Sequence, residues 1–403
     1  MSQTATAILS DRINNMQESA TIKMAKMSRE LKAQGQDIID LSLGEPDFDT
    51  PQHIKDAAKK AIDEGYTKYT PVPGYLELRK AIVEKFKREN NLTYTTDQIV
   101  VSTGAKQSIA NVVLSLINPG DEVLLPAPYW VSYAAIAELA EGKCVEIPTT
   151  IDSNFKVTAE LLAQHITSKT KLIIFSSPCN PTGSVYSQAE LQSLADVVKK
   201  HPGLYVLCDE IYEYINYTGT AHTSLASFPE VFEQVITVNG FSKGFAMTGW
   251  RLGYIGAPLW IAKACDKMQG QFTSGTCSIA QKAGEAALMT DITPSLKMVE
   301  AFKKRRDTVY ELLSNIPGLK VNLPEGAFYF FFDVSAYFGK VYNGKTLNTP
   351  EDISLYLLAE AKVAMVSGES FGDKYCLRMS YATSEEKLIA ACERISKAFA
   401  QLS

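Results

Sequence analysis

The stretch Gly240-Phe-Ser-Lys-Gly-Phe-Ala-Met-Thr-Gly-Trp-Arg251 puts one lysine, Lys243, just after the β-branched apolar run Val235-Ile-Thr-Val238. A primary amine is the side chain that condenses with an aldehyde. Arg251 offers the planar, permanently charged fork that suits a phosphate. An aldehyde and a phosphate on one ligand suggest pyridoxal phosphate. Taken alone the stretch is ambiguous, because most loop lysines are solvated surface groups.

Two further polar groups of residues each close an apolar run. Leu172-Ile-Ile-Phe-Ser-Ser-Pro178 leads into Cys179-Asn-Pro-Thr-Gly183, and Leu204-Tyr-Val-Leu-Cys208 leads into Asp209-Glu-Ile-Tyr212. Ligands bind at strand ends of open α/β sheets. By themselves, Asn-Pro-Thr-Gly reads as an ordinary turn and Asp209 as a helix N-cap. In this order, however, Asn180, Asp209, Tyr212, Lys243 and Arg251 resemble the pattern of the class I aminotransferases of pyridoxal-phosphate fold type I. Leu43-Gly-Glu-Pro-Asp-Phe-Asp-Thr-Pro51, Tyr66-Thr-Lys-Tyr-Thr-Pro71 with Gly74, Ser102-Thr-Gly-Ala-Lys-Gln107, Pro128-Tyr-Trp130 and Cys376-Leu-Arg378 extend the likeness through nearly the whole chain. The first ten or so residues and the insert-like stretch from Tyr337 to Thr349 carry no feature of it.

The resemblance implies a role for each of these residues. Lys243 is the lysine that condenses with the cofactor and later moves the substrate's Cα proton. Asp209 pairs with the pyridine nitrogen and keeps it protonated, while Asn180 and Tyr212 hydrogen-bond the phenolic oxygen. Trp130 stacks on the ring, although an indole after Pro-Tyr is often a core residue. Gly104, Ala105 and Lys106, where a strand meets a helix, offer backbone N–H groups to the phosphate, an arrangement that the helix dipole favours. Ser242 and Arg251 add side-chain donors. Tyr69 is assigned to the phosphate of a neighbouring subunit, which implies a homodimer with shared active sites. Arg378 binds the substrate α-carboxylate, where a guanidinium can engage both oxygens. Gly44 approaches the same carboxylate through its backbone, which a side chain would obstruct.

A dicarboxylate substrate needs a second cation. One branch of the family lends an arginine from the middle of the partner chain, but no arginine occurs here between Arg251 and Arg305. The other branch carries a lysine in the phosphate-loop segment, matched by Lys106, with Thr21 in Ser19-Ala-Thr21 at another polar position near the substrate. The expectation is therefore aspartate as amino donor and 2-oxoglutarate as acceptor. Aromatic amino acids or prephenate are the alternative, a C–S lyase on the same scaffold is a further one, and a non-catalytic regulator has no helix-turn-helix or basic patch in its favour.

Positioning these residues requires a sheet. Strand-like runs at Ile99–Ser102, Glu122–Leu125, Cys144–Ile147, Leu172–Phe175, Tyr205–Cys208, Val235–Val238 and Leu252–Ile255 have helical patterns between most of them, beginning near Gln107, at Ser187 to Lys200 and at Trp260 to Met268. Such alternation predicts an α/β fold with a doubly wound, mostly parallel sheet. Residues 51–300 are expected to form a large cofactor domain. By resemblance, residues 1–50 and 301–403 form a smaller α+β domain, with helices at Lys297 to Leu313, Glu351 to Ala361 and Glu385 to Ala400 and the aromatic run Gly326 to Asp333 as a buried strand.

Composition sets the outer limits. At 403 residues, with 46% hydrophobic and 21% charged, the chain reads as an ordinary globular protein of two domains. A net charge of −5 gives no basic footprint for nucleic acid, and no apolar run approaches a membrane span. Met1 to Ser10 lacks the features of a signal peptide, so a cytoplasmic location is expected. The 7 cysteines form no Cys-x-x-Cys pair and read as reduced and mostly buried, and the 4 histidines show no metal-ligand spacing in sequence.

Overall fold

The structure is a computed structural model and describes residues 8–16 and 18–402. Its centre is a seven-stranded sheet in the order Ile99–Ser102, Gly253–Gly256, Val235–Gly240, Tyr205–Asp209, Thr170–Ser176, Glu122–Ala127 and Lys143–Pro148. Only Gly253–Gly256 runs antiparallel to its neighbours. The strands are runs of Val, Ile and Leu because both faces are covered. Alternation along one strand shows this directly: Leu172 and Ile174 enter one hydrophobic cluster, while Ile173 and Phe175 enter the other.

On the first face lie the helices Ala105–Leu116 and Leu259–Phe272, which contribute Ile109, Val112, Ile261 and Cys265. The opposite face is covered by Leu76–Asn90, Gln188–Val198 and Ser278–Met289 through Leu78, Phe86, Leu191 and Ala283. Ser187 caps Gln188–Val198 as part of a capping box with Glu190, which fixes the start of that helix where the sequence pattern places it.

A second core surrounds a three-stranded antiparallel sheet of Val366–Ser367, Cys376–Ser380 and Tyr329–Asp333. Phe328, Phe330 and Phe332 pack there against Phe302 and Val309 of Thr293–Ser314 and Leu388 and Ile395 of Glu385–Ala400. The N-terminal strand Ile39–Asp40 joins this region by pairing in parallel with Val363–Ala364. Between Tyr337 and Thr349 the chain forms a small hairpin, Val341–Tyr342 against Lys345–Thr346.

Some expectations shift. Helix Ala105–Leu116 starts two residues before Gln107, and Leu259–Phe272 and Thr293–Ser314 outrun their patterns at both ends. Asp209 is not a helix N-cap: it ends a strand, and its Oδ1 accepts the N–H of Ile211 in a turn at 3.2 Å. All seven cysteines are free, five of them buried. Among the described residues no helix is long and apolar enough to cross a membrane. Of the Met1 to Ser10 segment, Met1 to Ala7 lie outside the described residues.

Candidate active site

Parallel strands Thr170–Ser176, Tyr205–Asp209 and Val235–Gly240 all end on one side of the sheet. Their ends, together with the start of helix Ala105–Leu116 and strand Cys376–Ser380 from the second core, enclose a cavity of about 350 Å³. Its walls include Thr21, Gly44, Ala105, Lys106, Trp130, Asn180, Asp209, Tyr212, Ser242, Lys243, Arg251 and Arg378. The sequence candidates are thus brought together apart from two. Gly104 lies just behind the wall, with φ of +82° and a Cβ position only 2.4 Å from an Arg251 nitrogen, so a side chain there would displace the guanidinium. Tyr69 does not reach the cavity of its own chain and is 98% exposed, in the connection that precedes Leu76–Asn90.

Lys243 is half-buried in the cavity wall. Its Nζ donates to the carbonyl of Gly44 at 2.5 Å and lies 5.6 Å from the centre of the Tyr212 ring. Burial pushes its ammonium down to about 8; Glu45 works against this, and the positive charges of Arg378 and Arg251 add to it. A lysine so placed is partly a free amine near neutral pH. Gly44 is required by contact, since a Cβ would sit 2.1 Å from the Tyr329 hydroxyl.

Asp209 presents the opposite case. Burial raises its carboxyl to about 6, although Tyr133 Oη donates to Oδ2 at 2.7 Å and the Ile211 N–H and nearby Lys243 favour the charged form. A buried carboxylate still this reluctant to ionise lacks a close cation. Arg378, also buried, donates from Nη1 to Asn180 Oδ1 at 3.1 Å and from Nη2 to the Ser42 carbonyl at 2.5 Å, between the rings of Tyr329 and Phe371. Its Nε is buried without a hydrogen-bond partner, as is the hydroxyl of Ser176. Tyr212 and Tyr329 share a hydroxyl contact of 2.7 Å. Lys106 extends over the Trp130 ring, 4.9 Å from its centre, and burial and Arg251 lower its affinity for a proton.

The cavity is thus a strongly cationic slot with a neutralisable amine, an acid lacking a counter-ion, and a helix N-terminus. These features fit pyridoxal phosphate. A pyridinium N–H would supply a cation for Asp209, Lys243 could meet the aldehyde, and Arg251, Ser242 and the first-turn N–H groups of Ala105 and Lys106, which have no intrahelical partner, could hold the phosphate.

A model of the family described as aminotransferase class I and II matches residues 36–395. The chain belongs to the class I and II aminotransferases. A bifunctional aspartate aminotransferase and glutamate/aspartate-prephenate aminotransferase of Petunia hybrida is 49% identical over 394 residues, covering 97% of this chain and 82% of that protein. The aspartate/prephenate aminotransferase of Nitrosomonas europaea is 45% identical, over 96% of this chain and 98% of its own. Among solved structures, the aspartate aminotransferase of Rhizobium meliloti superposes with a TM-score of 0.95 at 44% identity, covering 98% and 99% of the two chains. The Thermus thermophilus aspartate aminotransferase with maleate gives 0.91 at 40%, covering 97% and 99%. The fold is that of the fold type I aminotransferases.

Residues not anticipated from sequence also line the site. Tyr133, from helix Ser132–Leu139, holds Asp209, and Tyr329, from the aromatic strand, touches Tyr212. Ser176 and Glu45 also line the wall. Tyr133 follows Trp130 by three residues, and its N–H bonds to the Trp130 carbonyl at 2.9 Å.

Proposed function

We propose that the chain moves the amino group of aspartate to 2-oxoglutarate with pyridoxal 5′-phosphate as cofactor, in a ping-pong cycle. The observation that carries this reading is the meeting of Lys243, Asp209 and Arg378 in one cavity with the N-terminus of Ala105–Leu116. Bound there, the cofactor supplies an electrophilic carbon and an electron sink. Asp209, as a carboxylate held by Tyr133, pairs with the ring N–H and keeps it protonated. Asn180 and Tyr212 hydrogen-bond the ring oxygen, and Trp130 covers the ring. Arg251, Ser242 and the N–H groups of Ala105 and Lys106 hold the phosphate, with Gly104 leaving room for Arg251.

Arg378 grips the substrate α-carboxylate, which satisfies its buried Nε; leaving such a donor unpaired costs about 1–3 kcal/mol. Gly44 lies beside it. Lys243, as a free amine, would take the proton from the substrate Cα and deliver it to the carbon of the cofactor that carried the aldehyde, across the nitrogen that joins them. Tyr212, whose ring centre lies 5.6 Å from the Lys243 amine, and Tyr329 flank the site of that transfer.

For the side chain of aspartate, Lys106 offers the second cation and Thr21 a hydroxyl. The Thermus relative, described with maleate, supports a dicarboxylate pocket. Prephenate as acceptor is a second reading, favoured by the activities named for the Petunia and Nitrosomonas proteins; an aromatic aminotransferase of Pyrococcus horikoshii, at 40% identity and TM-score 0.85, keeps aromatic substrates in view. Nothing in the site favours a C–S lyase.

The proposal extends to the assembly. A homodimer in which Tyr69 reaches the partner's phosphate site accounts for a fully exposed tyrosine. The division into a large cofactor domain, 51–300, and a small domain of 1–50 with 301–403 is supported by the core around the three-stranded sheet, whose buried residues, among those described, include only Ile211, Tyr212, Ile215, Tyr217 and Met298 from the first range, and a cytoplasmic location belongs to the same reading. The test is a donor and acceptor panel on protein loaded with pyridoxal phosphate. Glutamate formed from aspartate and 2-oxoglutarate supports the proposal; pyruvate from a thioether amino acid with no glutamate formed from any donor refutes it.

A further inference from the structure

Beneath the active-site turn, on the side away from the cavity, lies a buried set of charges that the reaction as described does not use. Asp209 and Tyr212 face the cavity; Glu210 and Glu213, their neighbours in the same turn, face the opposite way. Glu213 forms a close ion pair with Lys85, a side chain with no exposure at all, and its Oε2 accepts from Asn90 Nδ2 at 2.9 Å. Asn90 in turn accepts from Lys85 Nζ through Oδ1 at 2.7 Å. Glu210 Oε2 stands 3.2 Å from His222 Nε2, with both side chains more than nine-tenths buried.

The carboxylates of Glu210 and Glu213 and the His222 ring offer atoms all within 4.8 Å of one another. That spacing could hold a cation, but Lys85 already supplies one to Glu213. The set carries its own charges: Lys85 and, when protonated, His222 face Glu210 and Glu213, with the half-buried Glu89 3.8 Å from Lys85. Burial opposes the charge on His222, yet Glu210 and Glu213 raise its affinity for a proton above that of a free imidazole. Glu213 likewise is held below the usual carboxylate range by Lys85, His222 and Asn90 in spite of its burial.

This arrangement ties two elements of the fold together. Lys85 and Asn90 belong to helix Leu76–Asn90, and His222 sits in the loop between the turn and strand Val235–Gly240. The backbone of the turn is thereby gripped on both sides: Glu213 N–H bonds to the Glu210 carbonyl, and Glu210 N–H to the carbonyl of Val238 in the strand that leads to Lys243. Tyr214, next in sequence, packs on Gly244, where a Cβ would approach its ring to 2.5 Å.

We infer that Glu210, with His222 as its counter-charge, is a positioning pair for the cofactor site, fixing from behind the turn that aims Asp209 and Tyr212 into the cavity. The inference rests on the reading above that these two residues hold pyridoxal phosphate. Removing one member of a buried ion pair leaves the other uncompensated, whereas removing both leaves none. A coupled pair and a mere contributor to stability therefore give different results in a double-mutant cycle.

The cycle uses Glu210→Gln, His222→Gln and the double variant, each checked for native circular dichroism. The readout is the dissociation constant for pyridoxal phosphate, from fluorescence quenching of the cofactor-free chain. Each single variant is expected to bind the cofactor at least tenfold more weakly than the parent, and the double variant about as weakly as the weaker single, the two losses not adding. Folded single variants that bind as tightly as the parent would overturn the inference, because a purely structural pair would lower the unfolding midpoint alone. A double variant that binds as tightly as the parent, or whose loss is the product of the two single losses, would overturn it too. Should a single variant fail to fold, the double variant decides: weakened affinity supports the inference and parent-like affinity overturns it. The parent is measured first: absence of cofactor binding or amino transfer there refutes the proposed function, while a competent parent matched by its variants refutes the positioning role alone.

Discussion

Asp209 gives the most direct link between burial and chemistry. In the cofactor-free chain its carboxyl titrates near 6 instead of 3.8, because burial outweighs the hydrogen bonds from Tyr133 and Ile211. An acid whose folded-state value is raised contributes stability that is fully present below its unfolded value and is lost as pH rises through its folded value. The full loss is roughly 3 kcal/mol, from a separation of about two pH units at 1.36 kcal/mol each. Between about pH 4.5 and 7 the part expressed is roughly 2 kcal/mol. Asp209→Asn removes it. Urea unfolding of the cofactor-free parent and of Asp209→Asn at those two pH values should therefore show the parent losing about 2 kcal/mol more than the variant. Titrating groups that do not interact with Asp209 cancel in this difference. Parallel losses would mean that Asp209 ionises as readily as a solvated acid, and the argument that the cavity awaits a cation opposite it would fail.

Other expectations follow from the same geometry. Lys243→Ala should bind pyridoxal phosphate without covalent attachment and lose nearly all turnover; in the parent, reaction with an aldehyde should accelerate as pH rises through about 8, where the ammonium gives up its proton, and a flat profile would contradict that assignment. Lys106→Ala should lower kcat/KM for aspartate by roughly one to two orders of magnitude, the loss of a charge-assisted bond of about 1.5–3 kcal/mol, while phenylalanine is affected far less; equal losses would shift the reading towards a broad-specificity or aromatic enzyme. Mixing Tyr69→Phe chains with Lys243→Ala chains should give hybrid dimers more active than either parent homodimer, and no gain after confirmed subunit exchange would place Tyr69 outside the partner's site.

The parts of this site that stand at strand ends were legible because apolar runs announce the strands and the polar residues follow at once. Asp209 and Lys243 each come within a few residues of a run of Val, Ile and Leu. Tyr329 was not legible, since it opens an aromatic run that reads as undivided core; only the register that sets it opposite Ser380 turns its hydroxyl towards Tyr212. Helix Leu76–Asn90 was missed for a related reason. Lys85 stands on its buried face and breaks the apolar stripe, a conflict resolved only by Glu213, far away in sequence. His222 likewise has no partner within its own loop, and the absence of metal-like spacing concealed its place beside Glu210 and Glu213.

The central claim is that Lys243 is the amine which captures the cofactor in this cavity. Borohydride reduction of the chain after loading with pyridoxal phosphate, followed by digestion and mass spectrometry, tests it at the level of a single atom. The account predicts one phosphopyridoxyl group per chain, on the peptide that carries Lys243, and none on Lys106. Modification centred on Lys106 or on any other lysine, or no stable modification at all, would contradict it.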